Sequence, residues 1–206
     1  MTCCIVGAGP SPAYICDGAY IIAADGGLSK LAAMGVTPDL ILGDFDSLGR
    51  RPDGDNVLAF PPAKDDTDMI LAMREAVRRG FDRLYLSGGV GGRLDHTVAN
   101  LQALVLARDL GATAFLVGDA QTALVLTEGT VTFSENATGT VSVFSLDSLA
   151  EGVSLEGLVY GGADLLLTNR FPLGVSNAFC GKTATVGIRR GTLLLIWDGG
   201  PDLVVS

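Results

Sequence analysis

Short apolar runs alternate with segments of helical periodicity through the first part of the chain. The predicted strands are residues 2–6, 20–24, 39–42, 56–60, 82–87 and 114–117. The predicted helices are residues 28–34, 64–79 and 95–109, and a glycine follows soon after each of them, as is common where helices end. Alternation of strand and helix favours a Rossmann-like parallel sheet with helices on both faces.

The pattern changes near residue 121, where strand-like runs follow one another with glycines between them and no helical periodicity. These runs are residues 123–127, 130–133, 140–146, 153–158, 184–188, 193–197 and 203–205. Such spacing predicts an all-β sandwich or barrel. We therefore expect an α/β domain at 1–133 and a β-sandwich domain at 134–206, in which residues 174–177 form a loop.

Four polar or glycine-rich loops come directly after predicted strands. They span residues 25–27, 43–47, 64–68 and 88–95. Because ligands of parallel sheets bind beyond the carboxyl ends of the strands, the four loops can share one crevice.

Asp44 and Asp46 stand one residue apart in the second of these loops. In an extended segment both side chains point to the same side, and two carboxylates that close repel each other unless a cation neutralises them. Mg²⁺ is a natural partner, since it binds one or two carboxylates together with substrate phosphates. The alternative is an ordinary turn, because Asp, Gly and Ser dominate turns.

The third loop, Lys64-Asp65-Asp66-Thr67-Asp68, adds three more carboxylates at the start of a predicted helix. Thr67 or Asp66 can cap this helix, and acidic residues are favoured in a first turn. Capping does not require a lysine and three carboxylates together. The excess of charge therefore supports a functional interpretation of both acidic loops.

The fourth loop is glycine-rich and ends in Arg93-Leu94-Asp95-His96. Arg93 can bind phosphate oxygens in a bidentate manner. Asp95 is a candidate metal ligand, a base or a helix cap. For His96, the single histidine, a hydrogen bond at the helix start is favoured over catalysis.

In the first loop, Asp25-Gly26-Gly27 lies where a strand meets a helix. Bare backbone N–H groups there can approach a phosphate, although turn chemistry alone also explains the glycines. Two other glycine motifs are rejected. Gly7-Ala8-Gly9-Pro10 lacks the third glycine of a dinucleotide-binding turn, although a tight turn near a ligand stays open there. Gly181-Lys182-Thr183 lacks the earlier glycine of a P-loop.

Composition excludes several classes of protein. The net charge of −9 argues against nucleic acid or an anionic membrane as partner. No apolar run is long enough to span a membrane, and the start of the chain lacks the features of a signal peptide, so we expect a cytoplasmic protein. The four cysteines show no C-x-x-C pair, which argues for buried, reduced thiols and against zinc.

Taken in order, these stretches resemble the thiamine pyrophosphokinase (thiamin diphosphokinase) family. The resemblance rests on residues 24–27, 42–47, 64–68 and 92–96, and further on residues 157–160 and 175–177. It implies an ATP-dependent pyrophosphokinase that transfers pyrophosphate to the hydroxyl group of thiamine and releases AMP. It also implies a homodimer with active sites at the interface.

The resemblance implies roles for individual residues. Asp44, Asp46 and Asp68 would bind Mg²⁺, and these three with Lys64, Arg93 and Asp95 form the catalytic set. Asp25, Gly26 and Gly27 would line the nucleotide site, and Asp65, near the Mg²⁺ ligands, and Thr67 would also bind cofactor. Ser176 and Asn177 would reach thiamine.

Two alternatives remain open. The same metal crevice could serve a pyrophosphokinase acting on another alcohol, such as a pterin. The chain could also be a non-catalytic sensor of nucleotide or thiamine, although a pure binder of phosphates has little reason to collect carboxylates.

Overall fold

The computed structural model describes residues 1–45, 51–61 and 65–206. The chain divides into two compact units, Met1–Asp119 and Ala120–Ser206. This division lies earlier than the boundary expected at residue 134. Residues 121–126 and 129–133 form strands that pair with strands near the end of the chain, and they therefore belong to the second unit.

The first unit contains a six-stranded parallel sheet in the order β6-β5-β1-β2-β3-β4. Its strands are β1 Thr2–Val6, β2 Tyr20–Ala24, β3 Leu40–Gly43, β4 Val57–Ala59, β5 Arg83–Ser87 and β6 Thr113–Val117. Strands β2, β3 and β4 lie in order on one side of β1, and β5 and β6 lie in order on its other side. The strand order therefore reverses at β1, between β2 and β5.

The described part of this unit has three helices, α1 Gly27–Ala33, α2 Asp68–Arg78 and α3 Leu94–Asp109. Helix α1 packs against β1 and β2, α2 packs against β1, β2, β3 and β5, and α3 packs against β6. Leu31 of α1 is fully buried in a core cluster with Val6, Ile41 and Phe45. The predicted mixture of strands and helices is confirmed for this part of the chain.

The second unit is antiparallel throughout and holds two groups of strands. One group has the order β12-β9-β14-β7 and the other β11-β10-β13-β8-β15. The strands are β7 Gln121–Leu126, β8 Gly129–Phe133, β9 Thr140–Ser145, β10 Ala150–Glu156, β11 Gly162–Leu167, β12 Gly174–Ala178, β13 Ala184–Ile188, β14 Leu193–Asp198 and β15 Leu203–Val205. Phe133 of one group meets Trp197 of the other, with ring centroids 5.4 Å apart.

Two expectations about this unit were wrong. Residues 174–177 belong to β12 and not to a loop, because they pair with β9 across a register shift between Gly174 and Asn177. Cys180 is exposed, whereas Cys3 and Cys4 are buried as expected.

Among the described residues, no helix is long and apolar enough to cross a membrane.

Candidate functional site

A cavity of about 460 Å³ opens at the carboxyl ends of β1, β2 and β5. Its walls come from the turns after these strands, from the first turn of α2 and from the first two turns of α3. The lining residues are Gly7, Ala8, Gly9, Pro10, Ala24, Asp25, Thr67, Asp68, Met69, Gly88, Gly89, Val90, Gly92, Arg93, His96, Ala99 and Asn100. The cavity therefore lies at the reversal of strand order, which is where open parallel sheets bind ligands.

The turns after β1 and β5 approach each other too closely for side chains. A Cβ atom on Gly88 would lie 2.2 Å from the carbonyl oxygen of Gly7, and one on Gly9 would lie 2.5 Å from that of Gly88. Gly7 and Gly9 donate backbone hydrogen bonds of 2.8 Å to Ser87 and Gly88. Glycine is needed at these positions because two backbones share the space that a side chain would fill.

Two polar side chains, the buried Asn100 and the half-buried Lys30, hold these turns in place. The Asn100 amide group donates to the carbonyl oxygen of Gly89 at 2.8 Å. The Lys30 ammonium group donates to the carbonyl oxygens of Gly9 and, at 2.6 Å, Ser11. Burial lowers the pKa of Lys30. The lysine thus holds the turn after β1 from the side of α1.

Two described carboxylates, those of Asp25 and Asp68, line the cavity. Asp44 follows β3 at the neighbouring loop: the preceding Gly43 lies against Asp25, since a Cβ atom there would be 3.1 Å from the Asp25 Cα atom. Asp46 lies outside the described residues. Within residues 1–45, 51–61 and 65–206, no group of three or more His, Cys, Asp or Glu side chains is placed to hold a metal ion.

Asp68 is the first residue of α2, and its position follows from a helix cap. The Thr67 hydroxyl group accepts a hydrogen bond of 3.3 Å from the backbone N–H of Ile70. This cap satisfies one of the free N–H groups of the first turn and fixes where the helix begins. Asp66 pairs with Arg74 at 2.9 Å, Asp65 is exposed, and Lys64 lies outside the described residues.

Arg93 and Asp95 form a bidentate ion pair at the start of α3. The guanidinium group donates to both carboxylate oxygens, at 2.6 and 3.1 Å. Both side chains are largely exposed, and the pKa of Asp95 is lowered to about 2, first by its hydrogen bond with Arg93. Arg93 lines the cavity, so a bound phosphate would compete with Asp95 for its guanidinium group.

Gly26 and Gly27 follow Asp25 in the chain but do not line the cavity themselves. Gly26 caps α1, and Gly27 begins it. A Cβ atom on Gly27 would lie 1.9 Å from the carbonyl oxygen of Val6, so this glycine allows α1 to start against β1. The neighbouring Asp25 has a positive φ of 46° and lines the cavity itself.

Ser176 and Asn177 lie in β12 of the second unit. Ser176 is exposed and has a φ of 57°. Asn177 is buried, and its amide group accepts from the backbone N–H of Tyr160 at 2.9 Å and donates to the Tyr160 carbonyl oxygen at 2.7 Å. Asn177 therefore holds the backbone of Tyr160, whose own side chain is exposed.

The sequence did not identify the buried Asn100 as part of the cavity. For Gly7 and Gly9 it excluded a dinucleotide-binding motif and left open a tight turn near a ligand. The sequence does contain a signal for this turn, because a glycine directly follows both β1 and β5. Two adjacent strands that are each followed by glycine can bring their turns into backbone contact.

Comparison with known proteins gives one family match and one similar curated sequence. The family model described as thiamin pyrophosphokinase, catalytic domain, matches residues 13–116, about half of the chain. Thiamin pyrophosphokinase 1 of Caenorhabditis elegans is 28% identical over 96 residues, which is 42% of this chain and 40% of the worm protein. The match thus spans less than half the length of that curated relative.

Solved structures match over nearly the whole chain. Thiamine pyrophosphokinase from Bacillus subtilis has a TM-score of 0.85 and 23% identity, covering 97% of this chain and 100% of its own. That from Geobacillus thermodenitrificans has a TM-score of 0.82 and 25% identity, covering 99% and 100%. Thiamin pyrophosphokinase from Candida albicans has a TM-score of 0.78 at 17% identity, covering 96% and 90%. These structures share the fold of this chain.

Proposed function

This chain belongs to the thiamin pyrophosphokinase family, and from that premise we propose that it transfers a pyrophosphoryl group from ATP to the hydroxyl group of thiamine and releases AMP. The observation that supports this most is the cavity of the first unit. It combines close-packed glycine turns, an arginine and two carboxylates at the strand ends. Transfer of phosphoryl groups needs mainly positioning and charge neutralisation, and these groups supply both.

The glycine turns and Arg93 bind the phosphates of ATP. Bare backbone at Gly88 and Gly89 lets the phosphate chain lie close to the sheet edge. Arg93 exchanges its bidentate pairing with Asp95 for one with phosphate oxygens. The nucleotide contacts also include Asp25, Gly26, Gly27, Asp65, Thr67 and Lys64.

Mg²⁺ is the metal that suits this set of donors. Of the proposed ligands, Asp68 lines the cavity, and Mg²⁺ uses one or two carboxylates together with phosphates, so this carboxylate fits it. We assign Asp44, Asp46 and Asp68 as its ligands. When bound, Mg²⁺ supplies neutralisation of the charge that develops on the phosphate oxygens.

The thiamine hydroxyl group attacks the β-phosphorus of ATP in line with the departing AMP, and its proton must be accepted by a base. Asp68 and Asp95 are the two candidates. Both oxygens of Asp95 accept from Arg93, so Asp95 becomes available as a base only once Arg93 has moved to the phosphates. Asp68 lines the cavity, which favours it over Asp95.

The first unit is a Rossmann-like catalytic domain with helices on both faces, and the second is a β-sandwich that binds thiamine through Ser176 and Asn177. The protein works as a cytoplasmic homodimer with active sites at the interface. The second unit exposes several large apolar side chains suited to such contact: Val159, Tyr160, Leu166, Phe171, Leu173 and Val175. Exposed apolar side chains mark a protein interface where they form one patch.

The test is incubation of the protein with ATP and Mg²⁺, with and without thiamine, followed by chromatography of the nucleotides. We expect AMP and thiamine diphosphate in equal amounts, and no AMP when thiamine is omitted. AMP formed with a pterin in place of thiamine would indicate another alcohol as substrate. Tight binding of ATP or thiamine without turnover would indicate a sensor and would overturn the proposed function.

A further inference from the structure

Two thiols lie in contact beneath the turn that follows β1. The sulfur atoms of Cys4 and Cys16 are 3.5 Å apart, and the backbone N–H of Cys16 donates to the Cys4 sulfur at 3.4 Å. Cys4 is fully buried in β1, whereas Cys16 is partly exposed in the irregular segment before β2. A disulfide needs a sulfur–sulfur distance of about 2.05 Å, so an approach of roughly 1.5 Å would join them.

The surroundings allow this approach. Cys16 lies outside any strand or helix, so its backbone can shift without breaking a hydrogen-bonded ladder. The neighbouring Cys3 is also buried, but consecutive residues of a strand point to opposite faces, which directs Cys3 away from this pair. Cys16 is therefore paired with Cys4 by the local fold of the first unit.

We propose that Cys4 and Cys16 form a reversible disulfide when the protein meets hydrogen peroxide, and that this bond fixes the segment that forms one wall of the cavity. Cys16 reacts first because it is the more accessible thiol. Its thiolate attacks a peroxide oxygen, the O–O bond breaks, and the hydroxide that leaves takes up a proton to become water. Cys16 is then a sulfenic acid.

The Cys4 sulfur next attacks the sulfenic sulfur. The S–O bond breaks, and the departing hydroxide accepts the Cys4 proton as a second water. Two thiols are oxidised and one peroxide is reduced. Burial raises the pKa of Cys4 to about 12, which keeps Cys4 protonated and leaves the reaction with peroxide to Cys16. The contact between the two sulfurs carries the second step, in which Cys4 loses its proton as the S–S bond forms.

The disulfide would close a loop that contains Gly7, Ala8, Gly9 and Pro10, which all line the cavity. That loop is already held by Lys30 at two carbonyl oxygens and by the Ser87 hydroxyl group, which accepts from the Tyr14 N–H at 3.0 Å. A disulfide between Cys4 and Cys16 would further restrict the motion of this loop. Oxidation would thus make the cavity wall more rigid without modifying any residue that lines the cavity.

The test compares wild type with Cys16→Ser and with Cys180→Ser, a matched control that removes the exposed thiol of the second unit. Each protein is treated with hydrogen peroxide, alkylated under denaturing conditions and digested for peptide mass spectrometry. We expect wild type and Cys180→Ser to lose two alkylatable thiols and to yield a linked Cys4–Cys16 peptide, which dithiothreitol reverses. Cys16→Ser should yield no such peptide.

Hydrogen–deuterium exchange gives the second measurement. In oxidised Cys180→Ser the amides of residues 8–15 should exchange roughly tenfold more slowly than in the reduced form. Oxidation that stops at Cys16 while Cys4 stays alkylatable, or that links other cysteines, would overturn the disulfide. Unchanged exchange in the oxidised form would overturn its effect on the cavity wall. The wild-type mass measurement decides the first point even if Cys16→Ser fails to fold.

Discussion

At the residue scale, the cavity depends on backbone groups that touch where side chains would usually stand. Gly9 and Gly88 bring the turns after β1 and β5 into contact, and Gly27 lets α1 begin against β1. Each of these contacts places an N–H group or a carbonyl oxygen near the sheet edge. Small changes at these glycines should therefore affect both the fold and the site.

Gly9→Ala should destabilise the protein and weaken ATP binding, because the new Cβ atom would lie 2.5 Å from the Gly88 carbonyl oxygen. Overpacking of this kind costs about 1–3 kcal/mol. Urea unfolding and calorimetric titration with ATP measure the two effects. Gly200→Ala is the control, since its Cβ atom would meet nothing closer than 3.6 Å. Equal stability of the two variants would contradict the tight contact between the turns.

Asp68→Asn should lower kcat/KM by roughly a hundredfold or more, the effect of removing one contact that stabilises a transition state. Asp68 lines the cavity, and the amide retains its size but not its charge. Asp66→Asn is the matched control: it removes a carboxylate two residues away that pairs with Arg74. AMP release dependent on thiamine measures both. Near-normal turnover in Asp68→Asn would remove this residue from the active site.

Sequence patterns were most informative about the charged residues of the site. Asp25, Asp68 and Arg93 follow predicted strands, and the structure places all three around one cavity. For the glycines after β1 the sequence left open a tight turn near a ligand but did not place it in this cavity, because contact between two backbones depends on which strands are neighbours. That β1 lies beside β5 is a property of the sheet order and not of any local motif.

At the element scale, α2 is fixed at both ends. Thr67 caps its first turn, and near its last turn Glu75 accepts hydrogen bonds of 2.7 Å from Arg78 and Arg79. These bonds lower the pKa of Glu75 from 4.5 to about 2, with the Arg78 bond as the largest cause. The Glu75 side chain is only 11% exposed, whereas that of Arg78 is 70% exposed, so water screens part of this interaction.

Glu75→Gln should lower stability by about 1 kcal/mol at neutral pH, since screened pairs of this kind contribute about that much. The pKa of Glu75 is depressed in the folded state, so its contribution is full above pH 4.5 and is lost as the pH falls toward about 2. Denaturant unfolding at pH 7 and pH 3 measures the difference between variant and wild type. A difference that stays constant or grows at pH 3 would contradict this assignment.

The elements that sequence patterns missed are β11 and β12. Both carry exposed apolar residues, and the burial of β11 does not alternate, so neither shows the period of a half-buried strand. Ser176 also has a positive φ within β12, next to the register shift. By contrast, β1 is buried at four of its five positions, which a short apolar run predicts well.

At the scale of the whole molecule, the two units contribute different surfaces. The first carries the cavity, and the second exposes Tyr160, Phe171 and Leu173, at 70%, 66% and 60% of their surfaces. The first unit also exposes large apolar side chains, among them Leu94 at 78%, but the second exposes more of them among the described residues, and exposed apolar surface is what a second chain can cover. This supports the proposed homodimer.

Phe171→Asp should convert a dimer to a monomer and reduce thiamine-dependent turnover, because a buried charge without a partner opposes association. Sedimentation velocity measures the assembly. Met34→Asp is the control, since Met34 is 53% exposed in the first unit, and this variant should remain dimeric. A wild-type protein that sediments as a monomer would contradict the dimer.

The change in pattern near residue 121 led us to expect two units. We expected the boundary between them at residue 134, whereas the structure divides the chain after Asp119. The expected boundary at residue 134 would separate β7 and β8 from their partners β14 and β13. Such pairing between distant parts of the chain leaves no local signal. The change of periodicity near residue 121 marks the division better than the polar loop at 134–137.

The central claim is that the cavity at the ends of β1, β2 and β5 binds the phosphates of ATP. The most direct measurement is a crystal structure of the protein with Mg²⁺ and α,β-methylene ATP, whose bridging carbon prevents release of AMP. We predict that its phosphates lie against Gly88 and Gly89, with Arg93 bound to them and Mg²⁺ beside Asp68. A nucleotide bound elsewhere, with this cavity empty, would contradict the account.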